Sequence, residues 1–152
     1  MIKVIQSRIT DTITCDAVGM TLVDPEEGGS AVLWVRVITG QSDHESQTYP
    51  CQFSDDHLAV MKAHSNHFIA TSSTLPPYLT SMQKLDLSLF VTFPIIVNEI
   101  VSGALVLAYR QRHKPPADSL AHARHLADQV AIALAKNRAI KAQIQAQIEL
   151  IG

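Results

Sequence analysis

LSLFVTFPIIV (Leu87–Val97), the polar pair Asn98-Glu99, and IVSGALVLAY (Ile100–Tyr109) form the stretch that decides the fold. Two β-rich runs joined by two polar residues read as a hairpin. Their nearly continuous apolar content reads as strands covered on both faces, and hence as a central place in a sheet. Pro94 interrupts the first run and Gly103 the second. Proline withholds a ladder donor and glycine offers no side chain, so bulges or close backbone approaches are expected there.

Upstream, Ile2, Ile5, Ile9 and Ile13 fall at helical spacing and predict a short amphipathic helix, closed by Cys15-Asp16. Ala17–Asp24 (AVGMTLVD) and Ala31–Thr39 (AVLWVRVIT) read as strands around the turn signal Pro25-Glu26-Glu27-Gly28-Gly29. The polar run from Gly40 to Gln52 reads as an exposed loop. Ser54 with Asp55 and Asp56 is a helix start: a hydroxyl accepts an orphan amide, and carboxylates sit at the positive end of the dipole. That helix should reach about His64. His67–Thr71 reads as a short strand and Pro76–Lys84 as irregular or a single helical turn. Downstream, Pro115-Pro116 and Asp118 open a last helix over about residues 116–151. Antiparallel hairpins with helices at both ends predict a single α+β domain over 1–152, its terminal helices gathered on one face of the sheet.

The chain has 152 residues, 47% hydrophobic and 17% charged, with a net charge of −2. That is a globular composition with room for a real core. It lacks the basic excess of a nucleic-acid surface. Lys136, Arg138 and Lys141 read as a solvated helix face. Asn98-Glu99 and Arg110 break the apolar runs well short of the roughly 20 residues a membrane-spanning helix needs. Met1–Ile13 lacks the cleavage site of a signal peptide. Two cysteines make no disulfide framework, so a reducing cytoplasm is the expected setting. A helix beginning at once and another ending uncapped are the pattern expected of a fragment of a longer protein.

Several local strings, in this order, resemble a GAF domain, the small-molecule sensor module of signalling proteins. Cys15-Asp16-Ala17-Val18-Gly19 with Leu22-Val23-Asp24 resembles that family's helix end and first strand. Phe93-Pro94-Ile95-Ile96-Val97, the turn, and Gly103-Ala104-Leu105-Val106-Leu107 resemble its central hairpin. Leu126–Leu134 (LADQVAIAL) resembles its closing helix. The apolar stripe Leu120, Ala123, Ala127, Val130, Ala131 and Leu134 fits that role physically, because small alanines let a helix lie close to a sheet.

The resemblance implies a pocket on the sheet face opposite the terminal helices, roofed by the segment between Cys51 and Leu85. Phe68, Thr71, Tyr78, Met82, Phe90 and Thr92 are its candidate lining. Phe90 and Thr92 alternate with Val91 and Phe93, so one pair faces the helices and the other the pocket; Thr92, as the polar member, assigns its own set to the pocket. Aromatics with hydroxyls suit a mixed apolar and polar effector. Core filling is the competing reading, at even weight. No cofactor is assigned. The polar signature of cyclic-nucleotide-binding members is not seen, and Cys51 precedes Gln52 rather than the histidine that accompanies a bilin-attachment cysteine.

Other chemistry is weaker. His64 with His67, and His122 with His125, could each offer two imidazoles to a metal, but no further ligands stand at a recognisable spacing. Solvated histidines account for them better. Cys15 and Cys51 could form a redox pair, as in GAF-like reductases, but neither has a neighbouring base or cation to lower its pKa. No nucleophile triad, paired-carboxylate site or phosphate loop is recognisable, and a non-enzymatic role is expected.

Leu126, Val130, Ala133, Asn137, Ile140, Ile144 and Ile151 follow steps of four and three, with Gln147 the exception. That is a heptad seam with a polar core position at Asn137, which predicts a homodimer along the last helix. With the resemblance, the expectation is a bacterial sensor module. It would bind a small effector and relay occupancy to a downstream output domain such as a histidine kinase or a cyclic-di-GMP enzyme. A ligandless relay and a thiol reductase are the alternatives.

Overall fold

The computed structural model describes residues 13–23, 30–38 and 47–151. Among the described residues six strands form one antiparallel sheet: β1 (Ala17–Val23), β2 (Ser30–Val37), β3 (Gln47–Gln52), β4 (Phe68–Thr71), β5 (Leu89–Val97) and β6 (Ile100–Tyr109). Their order across the sheet is β3-β2-β1-β6-β5-β4. Helix α1 (Asp55–Ala63) and a 3-10 helix (Pro77–Leu85) lie on one face, and α2 (Ala117–Ile151) lies on the other, chiefly against β5. The architecture is α+β, as expected from the sequence. Of the helix predicted over Ile2–Ile13 all but the last residue lies outside the described residues, as does the turn at Pro25–Gly29; residues 13–15 are not helical.

The hairpin governs the sheet. β5 and β6 are buried along nearly their whole length, and Val97 pairs with Ile100 across Asn98 and Glu99. Those two residues have φ of 50° and 67°, the left-handed pair that a two-residue hairpin turn needs. The register shifts between Ile95 and Ile96: Ile95 faces Gly103 and Ile96 faces Val101, which leaves Ser102 as the extra residue of a bulge. Gly103 is the close approach. A Cβ there would collide with the Thr21 carbonyl of β1 and crowd Leu22. Pro94 sits where β5 has outrun β4, whose last pair is Phe68 with Thr92, so the missing proline donor breaks no ladder bond with β4.

Ser54 caps α1 as its sequence predicts, accepting from the His57 amide at 3.3 Å. The run before it differs from expectation. Gln47–Gln52 is not loop but the edge strand β3, paired with β2 from Ser30–Gln52 to Val35–Gln47. Its polar composition and Pro50 hide it, because an edge strand tolerates both. Only Tyr49 and Cys51 turn inward.

Asp16 ties three strands at their ends. Its amide donates to Ala108, its carbonyl accepts from Ile38, and its carboxylate accepts the Arg110 amide at 2.8 Å. Two apolar clusters fill the two sheet faces. Val18, Met20, Val91, Phe93, Leu105 and Leu107 meet Ala123, Leu126, Ala127 and Val130 of α2. This corrects the seam reading at its near end. Val130, at 2% exposure, packs on the sheet of its own chain and is not free for a partner. Burial of such a side chain stabilises by about 1.5–3 kcal/mol, so the helix has no reason to release it.

Candidate functional site

The opposite face has an unusual floor. On the α2 side the two central strands present Val18, Met20, Leu105 and Leu107. On the other side they present Ala17, Gly19, Thr21, Ala104, Val106 and Ala108, of which only Val106 is a larger apolar residue. Small residues on adjacent strands leave a hollow, and the roof elements fill it. Met61 comes from α1, Tyr78, Leu79 and Met82 come from the 3-10 helix, and Phe53 precedes α1. Met82 sulfur lies 3.7 Å from where a Cβ on Gly19 would stand.

Strand register brings five of the six candidate residues to this hollow. Phe68 pairs with Thr92, which pairs with Val106, which pairs with Gly19. Phe90 joins them two residues along, and Tyr78 and Met82 descend from the roof. The Tyr78 hydroxyl donates a long hydrogen bond of 3.4 Å to Thr92 Oγ1, and its ring stacks on Phe53 with centroids 4.7 Å apart. Burial raises the Tyr78 phenol pKa, with the Thr92 hydroxyl opposing weakly. Tyr78, Phe90, Met82 and Thr92 are all fully buried. Thr71 is the exception and a correction. It lies three residues from Phe68 on a strand, so it points to the other face, opposite Leu89. Its hydroxyl is engaged with Ser73 and Thr74 at 2.9 and 3.1 Å in the turn after β4.

The cysteines lie on opposite sides of the sheet: Cys15 belongs to the α2-side cluster, and Cys51 rests against the roof-side cluster. They cannot meet without unfolding. Burial, with Asp16 adding to it, pushes the Cys15 thiol up to about 12. Cys51 is also raised by burial, against a weak contact with Thr21 Oγ1 at 3.8 Å. Three of the four candidate histidines have local partners: His64 contacts the Phe68 ring, His67 contacts Asn66 and the Phe93 ring, and His125 contacts Gln129. Among the described residues no group of three or more His, Cys, Asp or Glu is placed to hold a metal ion.

Sequence reading missed a second constellation, centred on Arg124 of α2. Its Nη1 donates to the carbonyls of Ser65 and Asn66 at 2.7 and 2.8 Å, and its Nη2 to the Pro94 carbonyl at 2.7 Å. Nε and Nη2 also grip Asp128 at 3.1 and 2.9 Å. The Arg124–Asp128 spacing is legible as a helical ion pair. The carbonyls it reaches are not, because they come from distant segments. A cleft of about 360 Å³ opens beside this cluster, lined by Ser65, Asn66, Pro94, Ile96, Arg124 and Asp128.

No protein-family model and no curated protein matches this sequence. Solved structures do match. The GAF domain of a sensor histidine kinase from Bacillus halodurans superposes with a TM-score of 0.64 at 18% identity, over 93% of this chain and 95% of that one. The fold is that of a GAF domain. The GAF domain of a phosphoenolpyruvate-protein phosphotransferase from Coxiella burnetii gives a TM-score of 0.67 at 20% identity, over 92% and 83%. The PixJ GAF domain of Thermosynechococcus elongatus, in its blue-light absorbing form, gives 0.60 at 13%, over 95% and 93%. Among the described residues no helix is long and apolar enough to cross a membrane.

Proposed function

We propose that this chain is a non-enzymatic regulatory module of the kind found in bacterial signalling proteins. It binds a small effector between the sheet and its roof and relays occupancy through α2. The single observation that carries the reading is the mostly small-residue floor of β1 and β6, in which only Val106 is larger, filled by side chains from separate roof elements. A hollow filled by Tyr78, Met82 and Phe53 can be emptied by moving the roof, whereas one filled by the sheet itself could not. A mixed ligand would exchange the Phe53–Tyr78 stack for its own apolar surface and take the Thr92 hydroxyl that Tyr78 now engages. The GAF fold supports the reading, and so does a helix that continues far past its own sheet. Two such helices from two copies would form the dimeric output element, joined to a kinase or cyclic-di-GMP output domain in the cytoplasm.

Complete burial of the hollow favours a second reading, in which the roof never opens and the module only dimerises and relays. Thermal unfolding across a panel of nucleotides, amino acids and tetrapyrroles separates the two. The sensor reading expects at least one compound to raise the midpoint by a few degrees, as ligand linkage requires. Thr92→Val, which removes the hydroxyl without emptying the floor, should weaken that shift. A flat response across the panel favours the ligandless relay.

A further inference from the structure

The hairpin has two distinctive backbone features, the unpaired edge at Pro94 and the Ser102 bulge, and an arginine of α2 is bonded to each. Arg124 binds the Pro94 carbonyl at the open edge of β5. Arg138 Nη1 donates to the buried Ser102 hydroxyl at 3.0 Å, and that hydroxyl donates onward to the Ile100 carbonyl at 3.1 Å. The two arginines stand about four turns apart on α2. The helix is thus held to the hairpin at two points along its length, the free edge of β5 and the bulge of β6.

The anchors differ in what else they hold. Among the described residues Arg138 bonds only to the hairpin, whereas Arg124 also holds both carbonyls of Ser65-Asn66, the connection from α1 to β4. Helix α1 sends Met61 and Leu58 into the roof-side cluster. Nothing else described bonds this connection to α2. All five guanidinium N–H groups have an acceptor, and Asp128 fixes the plane of the fork. The side chain is 18% exposed. A shift of the roof that moves Ser65-Asn66 must therefore carry Arg124 with it or strand a charged donor.

We infer that Arg124 is the positioning residue that couples the roof to α2, with the Arg138–Ser102 bond as the fixed point about which α2 shifts. This rests on the reading of α2 as the output element and names the route by which the roof reaches it. Lysine at this position would keep the charge and lose the route, because one ammonium cannot span three carbonyls and a carboxylate in a plane.

Amide hydrogen exchange, followed by mass spectrometry on the intact chain, tests it without an effector. Leu58→Ala loosens α1, a roof element, from the cluster on that face of the sheet. In the parent protein it should raise exchange over residues 117–130 by about threefold or more, although Leu58 lies on the far side of the sheet. In Arg124→Gln and Arg124→Lys backgrounds the same change should leave those residues within about 1.5-fold. Ser54→Ala, which frays α1 from its exposed cap, serves as a gentler second perturbation and should give the same pattern. Equal increments in all backgrounds, or an Arg124→Lys protein that responds like the parent, would overturn the inference. Coupling found beside a flat effector panel would sink the sensor reading alone. Additive exchange beside a real effector shift would sink the coupling alone.

Discussion

At the scale of residues, Cys15 shows how position rather than chemistry fixes behaviour. Its thiol sits under α2 beside Asp16, and burial raises its pKa from 9.0 to about 12. Because the folded value is the higher one, its contribution to stability is complete below pH 9 and is lost as pH rises from there toward 12. A Cys15→Ala protein should therefore show a shallower loss of stability on the alkaline side than the parent in urea unfolding followed across that range. An unchanged alkaline limb would contradict the assignment. In the native protein at mild pH, maleimide should label half-buried Cys51 well before Cys15. Thr71 teaches the complementary lesson. The sequence suggested a hydroxyl near the pocket, but two residues three apart on a strand cannot share a face. Phe68 won that position.

Elements were legible where their pattern was strong. The hairpin could be read from its apolar runs, and the expected irregularity at Pro94 and Gly103 appears as an open edge, a bulge and a close approach. Gly103→Ala should destabilise the protein by about 1–3 kcal/mol in urea unfolding, since the added methyl meets β1 backbone that cannot turn aside. Ser102→Ala, one residue away, would act through the Arg138 bond instead. β3 was illegible because an edge strand carries little apolar signal. Arg124 was illegible for another reason: helical periodicity shows its neighbour Asp128 but not the carbonyls of Ser65, Asn66 and Pro94, which only the folded register brings within reach.

For the whole molecule, the question is what the far half of α2 does. The helix runs 35 residues, about 52 Å at its ordinary rise, yet apolar packing on the sheet of its own chain reaches only about Leu134, with the Arg138–Ser102 bond one turn beyond. Ile144 and Ile148 lie about five turns beyond Leu126 and Val130, so the stripe that packs on the sheet continues along the same face. There Ile140, Ile144 and Ile148 are 45%, 52% and 56% exposed. A continuous apolar face of that kind calls for a partner, and an identical helix, with Asn137 setting the register, would complete it. Leu126 and Val130 drop out of the predicted seam because the core claims them, and the side chain of Ile151 lies outside the described residues. Native mass spectrometry of the freshly purified protein, beside an Ile144→Asp variant, tests the central claim directly, since one spectrum reports both assembly and retained small molecules. The expected spectrum is a dimer that the substitution converts to monomer, with additional small-molecule mass on the parent protein. A parent protein that is monomeric and bare, indistinguishable from the variant, would contradict it.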